Sequence, residues 1–341
     1  MTNTTLASAS DLAVWASIAV LALAMLAFAA HLAVHASVAE RRSPRPRSST
    51  VGTDGAGTGA PDPGPAARGP APATDGPGGV DTLVAGPQGP APSRRWGVLG
   101  VQLTWVATFA LVAGTVLRGL SVSRPPLGNM YEFALVACAF TLVVYSGWTL
   151  RRDRMWLGLF VTLPVVLILG AAKLAWYTEA SQLLPSLNSA WLVIHVTVAT
   201  LSVALFTIGC VLALLYLARD RAENRAGGPV TGWVSALPRA AALERITYGL
   251  HIVAFPLWTF TVIAGAIWAE QAWGRYWGWD PKEVWSFVIW VLYAAYLHAR
   301  ATAGWSVRRA TWLAVAGFGA IIVNYAVVNI FFVGWHSYSG V

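Results

Sequence analysis

Residues 272–285 read A-W-G-R-Y-W-G-W-D-P-K-E-V-W, placing four tryptophans, a tyrosine and an Asp-Pro-Lys-Glu tetrad between two long apolar runs. Indoles offer broad apolar faces with a single polar N–H, a surface suited to a flat ligand. If 273–280 is helical, Trp273, Trp277 and Asp280 share one face, with Tyr276 and Trp279 beside it. Gly274 and Gly278 would then let a planar ligand approach the backbone. Arg275 and Lys282, the loop's basic residues, suit either ligand carboxylates or lipid phosphate. Asp280, Pro281 and Glu283 also have a structural reading, as N-cap, first position and third position of the next helix.

These residues must be positioned by membrane helices. The chain is 56% hydrophobic and 11% charged, with repeated apolar runs, which defines an all-α polytopic membrane protein rather than a soluble domain. Eight spans are expected, at 12–34, 96–117, 130–150, 156–172, 190–217, 246–269, 284–297 and 310–333. The fourth and seventh are short, which leaves tilt or partial interfacial placement open. The first span has no basic residue before it and Arg41, Arg42, Arg45 and Arg47 after it, so it reads as an anchor and not a cleaved signal. With its N-terminus outside, 18 of the 23 Lys and Arg fall on one side, which the positive-inside rule makes cytoplasmic. Both termini and the 270–283 loop then face outward, at the plasma membrane.

The net charge of +8 thus belongs to inner loops, and no basic stripe interleaved with aromatics marks a nucleic-acid surface. Residues 36–95 hold eleven of nineteen prolines within 43–93 and read as a disordered cytoplasmic linker between an N-terminal anchor (1–35) and a seven-helix domain (96–341). Cys138 and Cys210 lie inside spans, form no C-x-x-C pair and read as packing residues.

The topology sorts the six histidines. His195, just inside span five, and His336, in the C-terminal tail, fall on the outer side; His31, His35, His251 and His298 lie near inner helix ends. A histidine inside a span is a site hypothesis by default, although a polar residue bonded within a bundle or solvated in a tail is the blander reading of each one alone. Two imidazoles from distant segments beside an aromatic platform match the needs of a haem plane. An aromatic belt explains many of the 18 tryptophans but explains poorly their concentration in one loop. His31 and His35 read as interfacial residues, and His251 as a helix-start residue.

The tryptophan loop resembles the WWD motif of haem-handling proteins in cytochrome c maturation, and its P-K-E continuation is similar to the CcsA/ResC type. N-M-Y-E at 129–132, W-L-V-I-H-V at 191–196, L-H-A-R at 297–300 and G-W-H-S-Y at 334–338 agree, so the likeness covers about residues 96–340. It implies that His195 and His336 ligate haem b against the loop from Trp273 to Asp280, and that His298 ligates haem entering from the inner side. It further implies a CcsB/ResB-type partner, with which the chain forms a cytochrome c synthetase attaching haem to the C-x-x-C-H thiols of an apocytochrome c. Reduction of those thiols falls to a separate thioredoxin-like protein. The chain shows no acid, base or nucleophile for the addition, so its expected contribution is positioning. Rival readings are a haem exporter or chaperone, and a transporter of another flat amphipathic solute. The latter should carry charges or broken helices at the midplane, and no Asp, Glu, Lys or Arg sits at a span centre.

Overall fold

Within lipid every backbone N–H and C=O must find its partner inside the same segment, and each apolar run of the chain is accordingly helical. The computed structural model describes residues 3–42, 92–182, 187–225 and 230–336. In order, the helices are α1 (Thr4–Arg42), α2 (Pro92–Ser121), α3 (Met130–Arg151), α4 (Met155–Ala175), α5 (Ala190–Glu223), α6 (Ala240–Trp273), α7 (Pro281–Ala301) and α8 (Val307–Ile322). A π-helical turn (Val323–Val327) and a last helical turn, α9 (Val328–Phe331), continue α8. Eight of the described segments are long and apolar enough to cross a membrane, as expected, and no strand occurs among the described residues.

The two runs that look short in sequence are full-length helices of 21 residues each, because their charged and prolyl flanks belong to the helix. At 1.5 Å per residue each reaches about 31 Å, enough for the hydrocarbon layer. The expected linker falls largely on 43–91, outside the described residues.

α1 packs on α2 and α4. Ser10 and Ser17 donate to the carbonyls of Gly114 and Ala107 at 2.7 and 2.9 Å, tying the first two helices together. The buried Phe28 ring occupies space left by Gly158, where a Cβ would come within 2.4 Å of it. Val14, Leu111, Leu135 and Leu169 build one core among α1–α4. Phe206, Trp258, Tyr293 and Ala314 build another among α5–α8.

The chain alternates direction, so one end of the bundle gathers the starts of α1, α3, α5 and α7 with the ends of α2, α4 and α6. Buried Glu132 ties this end together. Its carboxylate takes Arg118 at 2.9 Å and Arg124 at 2.8 Å, and Asn129 caps the same turn. Asp11 adds bonds from Lys173 and Tyr177, both 2.7 Å.

Candidate functional site

The tryptophan-rich loop occupies this same end. α6 stops because Gly274 turns left-handed (φ 70°) and donates its N–H back to Glu270, a conformation that disfavours any side chain. Residues 275–280 are therefore not helical, and the expected common face of Trp273, Trp277 and Asp280 does not form. Gly278 is filled by its own loop: a Cβ there would meet the Arg275 guanidinium at 0.8 Å. Gly278 therefore does not serve the open backbone approach expected of it, whereas the space beside Gly274 is open.

Order comes instead from the start of α7. Glu283 Oε2 accepts the amides of Gly278 at 2.8 Å and Asp280 at 3.0 Å, fastening loop to helix. Asp280 caps α7 as expected, taking the Lys282 amide at 3.2 Å. The same carboxylate reaches the C-terminal segment. It accepts the Trp335 amide at 2.7 Å and the His336 Nδ1–H at 2.8 Å, and Gly334 leaves it the room. Burial pushes the Asp280 acid up, but the hydrogen bond and charge of His336, with the Trp335 and Lys282 amides, outweigh it and hold the group below its ordinary range.

His195 is oriented from another helix. Its Nδ1 lies 2.9 Å from the Thr261 carbonyl on α6. A carbonyl only accepts, so Nδ1 bears the proton and Nε2 keeps the lone pair. Gly265 allows this approach, since a Cβ there would sit 2.7 Å from the imidazole Cε1.

Trp268 of α6, only 2% exposed, neighbours both histidines. Its ring centroid is 6.3 Å from His195, nearly parallel, and 5.8 Å from His336, so the imidazoles lie no further apart than those two distances together. Trp273 closes the back of this group, 4.7 Å from Trp268 and 4.9 Å from His336. Nothing local in sequence marks Trp268, which reads as one more belt residue near a helix end. Its signals are proximity to Trp273 and membership in the helix opposite His195.

His195, His336, Trp268, Tyr276, Trp277 and Lys282 line one cavity of about 520 Å³, whose remaining wall is chiefly apolar. That volume is in the range of small-molecule and cofactor sites. Trp279 stands 71% exposed with a strained φ of 59°, edge-on to Trp277 at 5.8 Å. Arg275 lies 5.0 Å over the Trp335 ring, while Lys282 Nζ donates to the Asn324 carbonyl at 3.1 Å.

His298 is not part of this group. It is exposed near the far end of α7, fifteen residues and roughly 22 Å of helix axis beyond Glu283. His31 and His35 pair edge-on at 6.1 Å on α1. His251, expected at a helix start, is instead buried well inside α6, bonded through Nδ1 to the Thr247 carbonyl at 2.7 Å. α6 begins earlier than its apolar run because Ala240 to Arg245 join the helix. Cys138 and Cys210 are free and buried, as expected.

Fold and site thus define a polytopic helical membrane protein with a chiefly apolar cavity lined by indoles and two oriented imidazoles. Residues 127–336 match the family model described as cytochrome C assembly protein. The chain is 34% identical over 265 residues to cytochrome c biogenesis protein CcsA of Synechococcus sp. (strain CC9902), covering 69% of this chain and 85% of the relative. To CcsA of Synechococcus sp. (strain RCC307) it is 36% identical over 268 residues, covering 70% and 84% of the two chains. To CcsA of Picosynechococcus sp. (strain ATCC 27264 / PCC 7002 / PR-6) it is 33% identical over 302 residues, covering 71% and 88%. The chain belongs to the cytochrome c assembly protein family, among its CcsA-type members.

Proposed function

We propose that this chain is the haem-handling subunit of a cytochrome c synthetase, working with a CcsB/ResB-type membrane subunit at the plasma membrane with its tryptophan loop outward. The observation that carries this reading is the paired arrangement of His195 and His336. Each imidazole gives its Nδ1–H to a fixed acceptor, a backbone carbonyl in one case and a carboxylate in the other. That is the outer-shell pattern of iron- and zinc-binding histidines, and it leaves Nε2 as the ligating nitrogen on both.

The site fits haem b on the chemistry of its walls. His195 and His336 would hold the iron through their Nε2 atoms, Trp268 and Trp277 would supply flat apolar surface, and Lys282 would supply a donor toward an acidic group. When bound, haem b supplies the vinyl groups that become thioethers with the C-x-x-C-H thiols of an apocytochrome c. The chain's residues do the positioning. Asp280 and Thr261 fix the two ring orientations, the indoles exclude water, and Glu283 keeps the loop seated on α7. His298, at the opposite end of α7, serves a separate inner haem site whose second ligand comes from the partner subunit. Cys138 and Cys210 are buried, unpaired and on different helices, so they form no dithiol device and thiol reduction belongs to a thioredoxin-like protein.

Co-expression with the CcsB/ResB-type subunit and a reporter apocytochrome c tests the reading. Covalent haem on the reporter should fall to background for His195→Ala and His336→Ala with both membrane subunits still present. Undiminished attachment in the double variant would refute it.

A further inference from the structure

One wall of the cavity is polar and unused by the imidazole pair. Lys282 Nζ hydrogen-bonds to the Asn324 backbone carbonyl, and no carboxylate pairs with it in a salt bridge among the described residues. The nearest candidate, Asp280, already spends its oxygens on Lys282 N, Trp335 N and His336 Nδ1. An ammonium in a low-dielectric cavity without a counter-ion is costly.

Asn324 is 7% exposed, and its side-chain Oδ1 has no hydrogen-bond partner. Its Nδ2 lies 3.2 Å from Ser286 Oγ. Turned over about its terminal torsion, the amide would let Oδ1 accept the Ser286 hydroxyl and would free the NH2 as a donor toward the cavity. Asn324 sits in the π-helical turn, a widening that recurs at functional sites in helices. Lys282, Ser286, Asn324 and Asn329 all line the same cavity as His195 and His336.

We infer that Lys282, Asn324 and Ser286 form a carboxylate-binding shelf, built by the π turn, that takes an acidic side arm of the ligand and so fixes its rotation about the imidazole axis. This rests on the haem reading above, in which the arm is a propionate. Lys282 supplies charge-assisted donors, since only one of its three N–H bonds is committed, and the Asn324 amide supplies a neutral one. Glu283 keeps one unpaired oxygen on this wall, so the shelf is selective. It favours a carboxylate at Lys282 and repels one placed nearer the loop.

The test titrates the detergent-purified protein with ferric haem and with its dimethyl ester, which lacks the free carboxylates. Wild type should bind the acid roughly tenfold or more tightly than the ester, the size of one lost charge-assisted hydrogen bond. Lys282→Met should erase that preference and Asn324→Leu should reduce it, while Lys282→Arg should keep it and thereby show that the position tolerates change. Equal binding of acid and ester by wild type, or an undiminished preference in Lys282→Met, would overturn the shelf and leave haem binding standing. Binding of neither compound would remove the haem reading, and the shelf with it.

Discussion

Asp280 holds His336 by a 2.8 Å hydrogen bond while the same carboxylate caps α7, so the start of one helix and the aim of one imidazole are a single structural event. Asparagine caps helices as well as aspartate does, which separates the two roles. Asp280→Asn should stay within about 1 kcal/mol of wild type in thermal unfolding. Its affinity for ferric haem should nevertheless drop roughly 10- to 100-fold, the usual cost of losing a partner behind a ligating histidine. Equal affinity in the two proteins would show that Asp280 acts only as a cap.

The same contact has a pH signature. The folded-state acid of Asp280 is held below its ordinary value, so its contribution is fully present above the unfolded carboxylate pKa, about 3.9, and is lost as pH falls through the lower folded value. The stability advantage of wild type over Asp280→Asn should therefore hold steady from pH 7 to about pH 5 and shrink only in more acidic solution. Thermal melts in detergent across that series measure it, and an advantage already gone at pH 6 would contradict the assignment.

Gly265 faces His195 so closely that a methyl group at 265 would come within 2.7 Å of the imidazole. Alanine is the better helix former by roughly 1 kcal/mol, so Gly265→Ala should not unfold α6. It should displace the ring from the Thr261 carbonyl and abolish low-spin haem binding. In a His298→Ala background, a variant that melts like wild type yet shows no haem spectrum is the expected outcome; an unchanged spectrum would mean the contact is incidental.

Glu132 carries two guanidinium partners while fully buried, with Arg118 likewise buried at 3% exposure. Removing one member of such a network strands buried charge, at a cost of about 3–5 kcal/mol. Glu132→Ala should lower the melting temperature sharply and reduce the amount of folded protein, whatever its haem content. A melt matching wild type would show that the pair is solvated.

Much of this was readable from the residues alone. Lipid forces every long apolar run into a helix, so eight spans follow from hydropathy, and the Asp280 cap follows from D-P-K-E. That His195 and His336 line one cavity was anticipated because the topology read from the sequence puts only these two of the six histidines on the same side as the tryptophan loop. The conformation of the loop was not, since Gly274 fits a helical reading of the tryptophan spacing as readily as it fits a left-handed cap. Trp268 escapes because its role depends on α5 and the tail converging on α6, a long-range contact that no local pattern encodes. Asn324 left one trace, an amide inside an apolar span, but the π turn that gives it meaning arises from packing.

The central claim is that His195 and His336 engage one haem iron, and it is most directly tested where the inner histidine cannot contribute. In a His298→Ala background, purified protein with its partner subunit should give a reduced, low-spin b-type spectrum. Replacing either His195 or His336 with glycine should abolish that signal, and added imidazole should restore it. A low-spin signal that persists without both residues would contradict the account.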